Sequence, residues 1–284
     1  MSDILKTKID FAAIITVKNA NPNGDPLNGN RPRENYDGYG EISDVCIKRK
    51  LRNRFQDLGQ KIFVQSDDRA DDGKTSLSER ASDKMTGKLP RDEYAQKACE
   101  TWFDVRTFGQ VFAFKAGKND KDGVSVGVRG PVSIHQAVSV SPVEIRSMQI
   151  TKSVNSEPGE KKSSDTMGMK HSIIFGVYVL KGSINVQLAE KTGFSEEDAG
   201  IVKEALKSLF ENDSSSARPE GSMEVNKLFW WKHNSKSGQY SSAKVHKSLR
   251  VEINDDISKP ESFEDFSYTL TPLEGLEVEE IEGL

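Results

Sequence analysis

Residues 8–17 alternate in polarity so that Ile9, Phe11, Ala13, Ile15 and Val17 share one face, the two-residue period of a half-buried strand. The next stretch, Asn19-Ala-Asn-Pro-Asn-Gly-Asp-Pro26, gathers residues that break regular structure and favour tight turns. Ser43 then stands as an N-cap before Ile47, Leu51, Phe55 and Leu58, whose spacing predicts an amphipathic helix closed by Gly59. Residues 64–92 are almost without large apolar side chains and read as an exposed, mobile excursion. Ordered pattern resumes from Tyr94 to Phe114. Residues 132–140 alternate again, with Val132, Ile134, Val138 and Val140 on one face. The ends of 149–170 look like strands around a polar middle, a long hairpin or flap, and strands follow at 172–188.

Ser195, with Asp198 three places on, opens a second helix whose buried stripe is Ile201, Ala205, Leu206, Leu209 and Phe210. Strands at about 223–232 and 243–253 flank a turn at Ser237-Gly238. Trp230 and Trp231 are adjacent, so they face opposite sides of the first of these: one belongs to the core and the other is free to pack on a neighbour. This order of elements is that of an elaborated ferredoxin-like α+β core, with 64–92 and 149–170 as appendages.

Only 35% of the residues are apolar and 30% are charged, which fits a core carrying solvated insertions. The longest apolar runs, Phe11 to Val17 and Ile173 to Leu180, are strand-sized, far short of a membrane span. Cys46 and Cys99 lack C-x-x-C spacing, so neither a disulfide framework nor a zinc site is indicated. With charges through Lys8 and no secretory pattern, the chain reads as soluble and cytoplasmic. The net charge of −4 is unevenly spread: residues 252–284 hold eleven acids and one lysine, a net −10, leaving +6 on residues 1–251. A mildly basic body suits a polyanion, and the acidic tail is either solvated or placed against a basic patch of another copy.

The predicted first helix carries Lys48, Arg49, Lys50, Arg52 and Arg54, too many cations to point one way, so it has a positive flank. It adjoins the Asn/Gly/Pro loop, and Arg31 and Arg33 lie just beyond. An ordinary solvated face explains the cations alone. Amides, free backbone N–H donors and guanidinium groups together would also make a phosphate-tracking groove. The run Asp104-Val-Arg-Thr-Phe-Gly-Gln110 combines groups suited to base stacking and backbone hydrogen bonding, with Phe108 either core or platform. His135, His171, His233 and His246 show no metal-ligand spacing, and Asp25, Asp104 and Asp165 are not paired in sequence. No P-loop, nucleophile elbow or dinucleotide fingerprint is present. The pattern favours no catalytic residue, no metal and no cofactor.

The blocks 19–25 and 42–53, then Asp104 to Gly109, Gly130-Pro-Val132, Val138 to Val143, Gln149-Ile-Thr-Lys152 and Met167-Gly-Met-Lys-His171, occur in an order that resembles the backbone subunit of type I CRISPR effector complexes (Cascade), most closely type I-C. The resemblance spans roughly residues 9–180. It implies a palm like an RNA-recognition motif at about 1–63, 93–143 and 171–253, a finger at about 64–92 and a thumb at about 144–170, which leaves the acidic tail read from the charges at about 254–284. Copies would polymerise as a helical filament along a CRISPR RNA (crRNA), each gripping spacer phosphates and leaving bases free to pair with target DNA in antiviral defence. The other partners implied are a large subunit, a small subunit and the subunit that binds the crRNA 5′ handle, with no membrane. The RNA-binding residues implied are Asn19, Asn21, Asn23 and Gly24 in the loop; Lys48, Arg49 and Arg52 on the basic helix; Arg106, Thr107 and Gln110 in the palm motif; and Gln149, Lys152, Met167, Lys170 and His171 on the thumb. Arg31 joins them from the reading of the loop. Lys48, Arg49, Arg52 and Lys152 would take phosphates, and Met167 would wedge at a kink. Type I members are not nucleases. The rival is a metal-dependent endoribonuclease like the type III relatives, using an Asp such as Asp25.

Overall fold

In the computed structural model, which describes residues 3–85, 89–114, 124–151 and 167–284, the chain is built around strand β1 (Ile9–Ala20). Every residue from Ile9 to Val17 is buried, so the strand is covered on both faces rather than one. The predicted face packs into the main core, while Ala12 and Ile14 on the other face pack into a second layer. That layer comes from the C-terminal part of the chain, too distant in sequence for local alternation to reveal.

After β1 the turn-rich run forms a small hairpin, β2 (Gly24–Asp25) and β3 (Arg31–Pro32), whose connecting turn Asp25 caps through the Leu27 N–H. Strand β4 (Tyr39–Ile42) leads into helix α1 (Asp44–Asp57). Ser43 caps α1 by accepting from the Cys46 N–H, Ile47, Leu51 and Phe55 are buried, and Gly59 beyond its end has φ +79°, all as expected.

The region read as an exposed excursion is folded over its described residues. Helices α2 (Leu77–Lys84), α3 (Arg91–Thr101) and α4 (Phe103–Phe108) and the hairpin β5 (Gly109–Phe114)–β6 (Val124–Arg129) enclose a core of their own. Ala81 and Met85 meet Phe63, Tyr94, Trp102 and Phe112 there, with Phe63 4.6 Å from Trp102 between ring centroids. Arg80 is buried, its guanidinium held by Asp72 and donating to Phe63 O. The excursion contributes a few aliphatic side chains, Ala81 and a buried charge, and the aromatic rings that cover them lie outside it. At the root of the hairpin, Gly109 (φ +83°) and Gly130 sit where a Cβ on either would overlap the opposing backbone.

Strands β7 (Val132–Ile134) and β8 (Ala137–Pro142) replace the single alternating strand expected over 132–140. The break at His135-Gln136 reverses the phase, so that Ala137 and Ser139 are buried and Val138 is half-buried. Strand β9 (Ile145–Thr151) pairs antiparallel with the long β10 (Met167–Ile184) from Ile145↔Ile173 to Thr151↔Met167, which gives the predicted hairpin its two ends. Strand β10 ends at Ile184, and helices α5 (Val186–Thr192) and α6 (Glu196–Lys207) follow. The Ser195/Asp198 capping box of α6 is present; of the expected stripe Ala205, Leu206 and Leu209 are buried, Ile201 and Phe210 are half-buried, and Val202 is buried beside them.

Strand β11 (Met223–Lys232) is as expected. Trp230 and Trp231 face opposite sides, and both are core: Trp230 stacks on Phe11 at 5.6 Å, and Trp231 packs in the second layer. The strand expected at 243–253 begins instead as helix α7 (Ser242–Ser248), capped by Ser241, and only then becomes β12 (Leu249–Ile253). β12 pairs with β13 (Phe266–Leu270) rather than with β11. The acidic tail is therefore folded: Phe266 and Leu276 are buried, and β14 (Val278–Glu282) pairs with β11. The main sheet is antiparallel, in the order β14-β11-β1-β10-β8-β4, with β7 and β9 also on β10. Helices α1 and α6 supply the main core on one face of this mixed α/β fold, and α7 with the β12–β13 ribbon covers the other.

Candidate nucleic-acid interface

The basic flank of α1 faces protein groups. Lys50 is buried and paired with Asp213; Arg52 Nε donates to Asp104 Oδ2 at 2.9 Å; Arg49 Nη1 donates to Val64 O at 2.6 Å; Arg54 Nε donates to Ser208 Oγ at 2.8 Å. Burial and the neighbouring Arg52 hold the Arg49 guanidinium below its ordinary pKa. Lys48, on the outer side, pairs with Asp44 one turn back. A ligand phosphate at Arg49 or Arg52 would have to displace these bonds.

The run from Asp104 to Gln110 is likewise built into the body. Asp104, fully buried, accepts from Phe63 N (2.7 Å), Val64 N (3.1 Å) and Arg52, tying α4 to α1 and to the chain entering the second core. Arg106 makes a bidentate pair with Asp198 (2.9 and 3.0 Å) and donates to Cys99 O, tying α4 to α6. Thr107 is fully buried, which puts it out of reach of a ligand on the surface. Phe108 packs against the main core under the Arg52 guanidinium. Gln110 is half-buried at the start of β5.

The loop residues are divided. Asn21 is buried and donates to Asn30 O, and Asn23 accepts from the Ser43 N–H, fixing the loop to the start of α1. At Gly24 a Cβ would strike the Asn30 side chain. Asn19 is exposed, with φ +54°, and accepts from Arg146 Nη2 at 3.1 Å. Asp25 is occupied by its turn and by Arg33 at 3.3 Å.

What the fold gathers is the root of the β9–β10 arm. Arg31 Nη1 donates to Ser147 Oγ (2.9 Å), and the same hydroxyl is 2.8 Å from His171 Nδ1. Cross-strand register puts His171 opposite Ser147, Lys170 opposite Met148 and Ser172 opposite Arg146. Ser147 and His171 thus share one face of the arm, and Arg146 and Lys170 the other. Among the described residues none of Arg31, Arg146 and Lys170 is paired with a carboxylate, in contrast to the cations of α1. Farther out, Met167 and Met169 are exposed on the first face and Met148 and Ile150 on the second, and Gln149 lies against Met167. Lys152 is outside the described residues. Uncompensated cations, neutral donors and exposed apolar side chains on one ribbon suit the phosphates and base faces of a single strand. Arg146 and Ser147 were missed in the sequence, where they are one cation and one hydroxyl in an unremarkable strand. Only the register with β10 and the contacts to Asn19 and Arg31 single them out.

On the other side of the sheet, Asp10 is fully buried with Lys8 (2.9 Å) and His233 (2.8 Å). Burial pushes the Asp10 carboxyl up, but donors from His233, Ser242 and Lys8 outweigh it and hold the group below the usual carboxylate range. His246 donates to Gly182 O at 3.0 Å, and burial keeps its pKa below the ordinary value. Among the described residues no three His, Cys, Asp or Glu side chains gather to hold a metal ion, and no helix is long and apolar enough to cross a membrane.

The family model for CRISPR-associated protein Cas7 matches residues 7–271, nearly the whole chain. The chain belongs to the Cas7 family. A curated relative, CRISPR-associated protein Cas7 of Haloferax volcanii, is 28% identical over 203 residues, 65% of this chain and 58% of that protein. The chain thus spans less than two thirds of that relative's length. A chain of a solved CRISPR RNA-guided surveillance complex, pre-nicking, superposes with a TM-score of 0.51 at 16% identity, covering 89% of this chain and 84% of the other. This last likeness is one of fold.

Proposed function

We propose that this chain is a non-catalytic crRNA-binding backbone subunit of a type I Cascade, most like type I-C, present in several copies along the guide. In this reading the main sheet is the palm, and the β9–β10 arm belongs to the thumb. Arg31 and His171 from one face of the arm, and Arg146 and Lys170 from the other with Asn19 beside Arg146, hold the sugar-phosphate backbone around the arm's root. Met167 and Gln149, farther out, contact bases. Lys48 adds charge at the edge and Lys152 takes a phosphate as the resemblance implies, whereas Arg49, Arg52 and Arg106 position the surface from beneath. The bases stay available to pair with target DNA, and neighbouring copies and the large, small and 5′-handle-binding subunits complete the complex. The observation that carries the reading is the set of cations at the arm's root, Arg31, Arg146 and Lys170, that meet no carboxylate among the described residues, in a chain of the Cas7 family.

The test is binding of fluorescent single-stranded RNAs of unrelated sequence to the Arg31→Glu/Arg146→Glu variant. Affinity should fall by a similar factor for every sequence, and the log–log salt slope should become shallower by roughly 1.4, about 0.7 for each of two lost phosphate contacts. Loss for one sequence only, or an unchanged slope, contradicts backbone binding. Adding a divalent metal to the same mixtures examines the rival: RNA cleavage abolished by Asp25→Ala would establish a nuclease.

A further inference from the structure

Far from the arm, the sheet ends at β14, whose outer hydrogen-bonding edge has no strand on it among the described residues. On the second-layer face of this strand, between β14 and the chain leaving β13, lies an open cleft of about 600 Å³. Its walls are Trp231, Leu270, Pro272, Leu273, Leu276 and Val278, and Glu277 and Glu280 stand among them. Residues 272–284 contain five glutamates and no cation.

Acidic side chains along an edge strand discourage pairing with like edges, and that alone would explain the glutamates. It does not explain an apolar cleft kept open beside them. Glu279 and Glu282 are engaged by Lys203 and Lys227, and Glu280 by the Tyr268 hydroxyl, which leaves Glu277 at the cleft and Glu274 near it as exposed side chains. The sign of the charge repels phosphates, so this face is unsuited to nucleic acid. Backbone donors and acceptors, an apolar hole and negative charge at its rim are together complementary to one chemistry.

We propose that β14 and its cleft form a protein-docking site for an extended, basic segment of a partner protein. The segment adds as a further strand, seats one aliphatic or aromatic side chain in the cleft, and places lysine or arginine on either side of it. This inference is independent of the RNA reading, since it concerns a different surface with the opposite charge.

The probes are two synthetic seven-residue peptides, one alternating lysine with leucine or valine and the other with glutamate in place of lysine. They are titrated into the full chain and followed by fluorescence anisotropy and amide hydrogen exchange. The lysine peptide should bind and slow exchange in Val278–Glu282, and the glutamate peptide should not. Glu274→Lys/Glu277→Lys should weaken the lysine peptide at least fivefold, and Leu273→Ala, a milder change to the cleft wall, should weaken it several-fold. Equal binding of both peptides, protection confined to other strands, or no binding at millimolar peptide would overturn the proposal. So would self-association of the chain through β14 that the charge reversals abolish, because the occupant would then be a second copy.

Discussion

Replacing Asp104 by Asn separates the two roles open to the Asp104–Gln110 run, guide contact and internal staple. The carboxylate accepts from Phe63 N, Val64 N and Arg52 Nε, and is itself buried. Asn has nearly the same shape but only one acceptor oxygen. If that oxygen keeps the Phe63 N–H, the new amide N–H₂ faces Val64 N–H and the Arg52 guanidinium, donor against donor. An unsatisfied buried amide costs about 1–3 kcal/mol, and a buried ion pair broken from one side about 3–5 kcal/mol. These overlap, and the Arg52 side chain, 13% exposed, recovers some hydration, so about 3 kcal/mol is expected. For a chain of this size that lowers Tm by roughly 5 °C. Urea unfolding followed by tryptophan fluorescence measures the loss. RNA affinity is then compared where both proteins are folded, and it should stay within about twofold of the parent. Unfolding free energy within about 0.5 kcal/mol of the parent, or a tenfold loss of RNA affinity without loss of stability, would refute the staple.

Ending the chain after Ile253 removes β13 and β14 and uncovers Phe229 and Trp231; burying each large side chain is worth about 1.5–3 kcal/mol, so a loss of about 3–6 kcal/mol and a red-shifted tryptophan emission are expected, and an unchanged emission maximum and urea midpoint would contradict the tail's place in the core. His246 is held neutral by burial, so its folded pKa lies below its unfolded value near 6.5 and the unfolded chain takes up more protons as the solution is acidified. Stability should therefore decline as pH falls from about 7, with a shallower decline in His246→Gln; equal slopes of urea midpoint against pH in the two proteins would disprove the assignment.

Much of the local architecture could be read directly. The Ser43 and Ser195 caps, the Ile47-Leu51-Phe55 stripe, the strand at β11 and the two ends of the arm depend on residues within a turn or a strand of one another, and short-range periodicity reports such contacts faithfully. Family membership was also legible, because it rests on the order of blocks along the chain. Partnership over long separations was not. Arg52 resembles any cation on a helix until Asp104, 52 residues on, is found beneath it, and Arg106 needs Asp198. The second face of β1 and the fate of Trp231 waited on residues 245–276. Composition made the tail look solvated, yet a few apolar residues, Phe266 and Leu276 among them, anchor it. Charge counts how many cations a segment carries; only packing decides which of them are neutralised from within and which, like Arg31 and Arg146, have no carboxylate partner among the described residues.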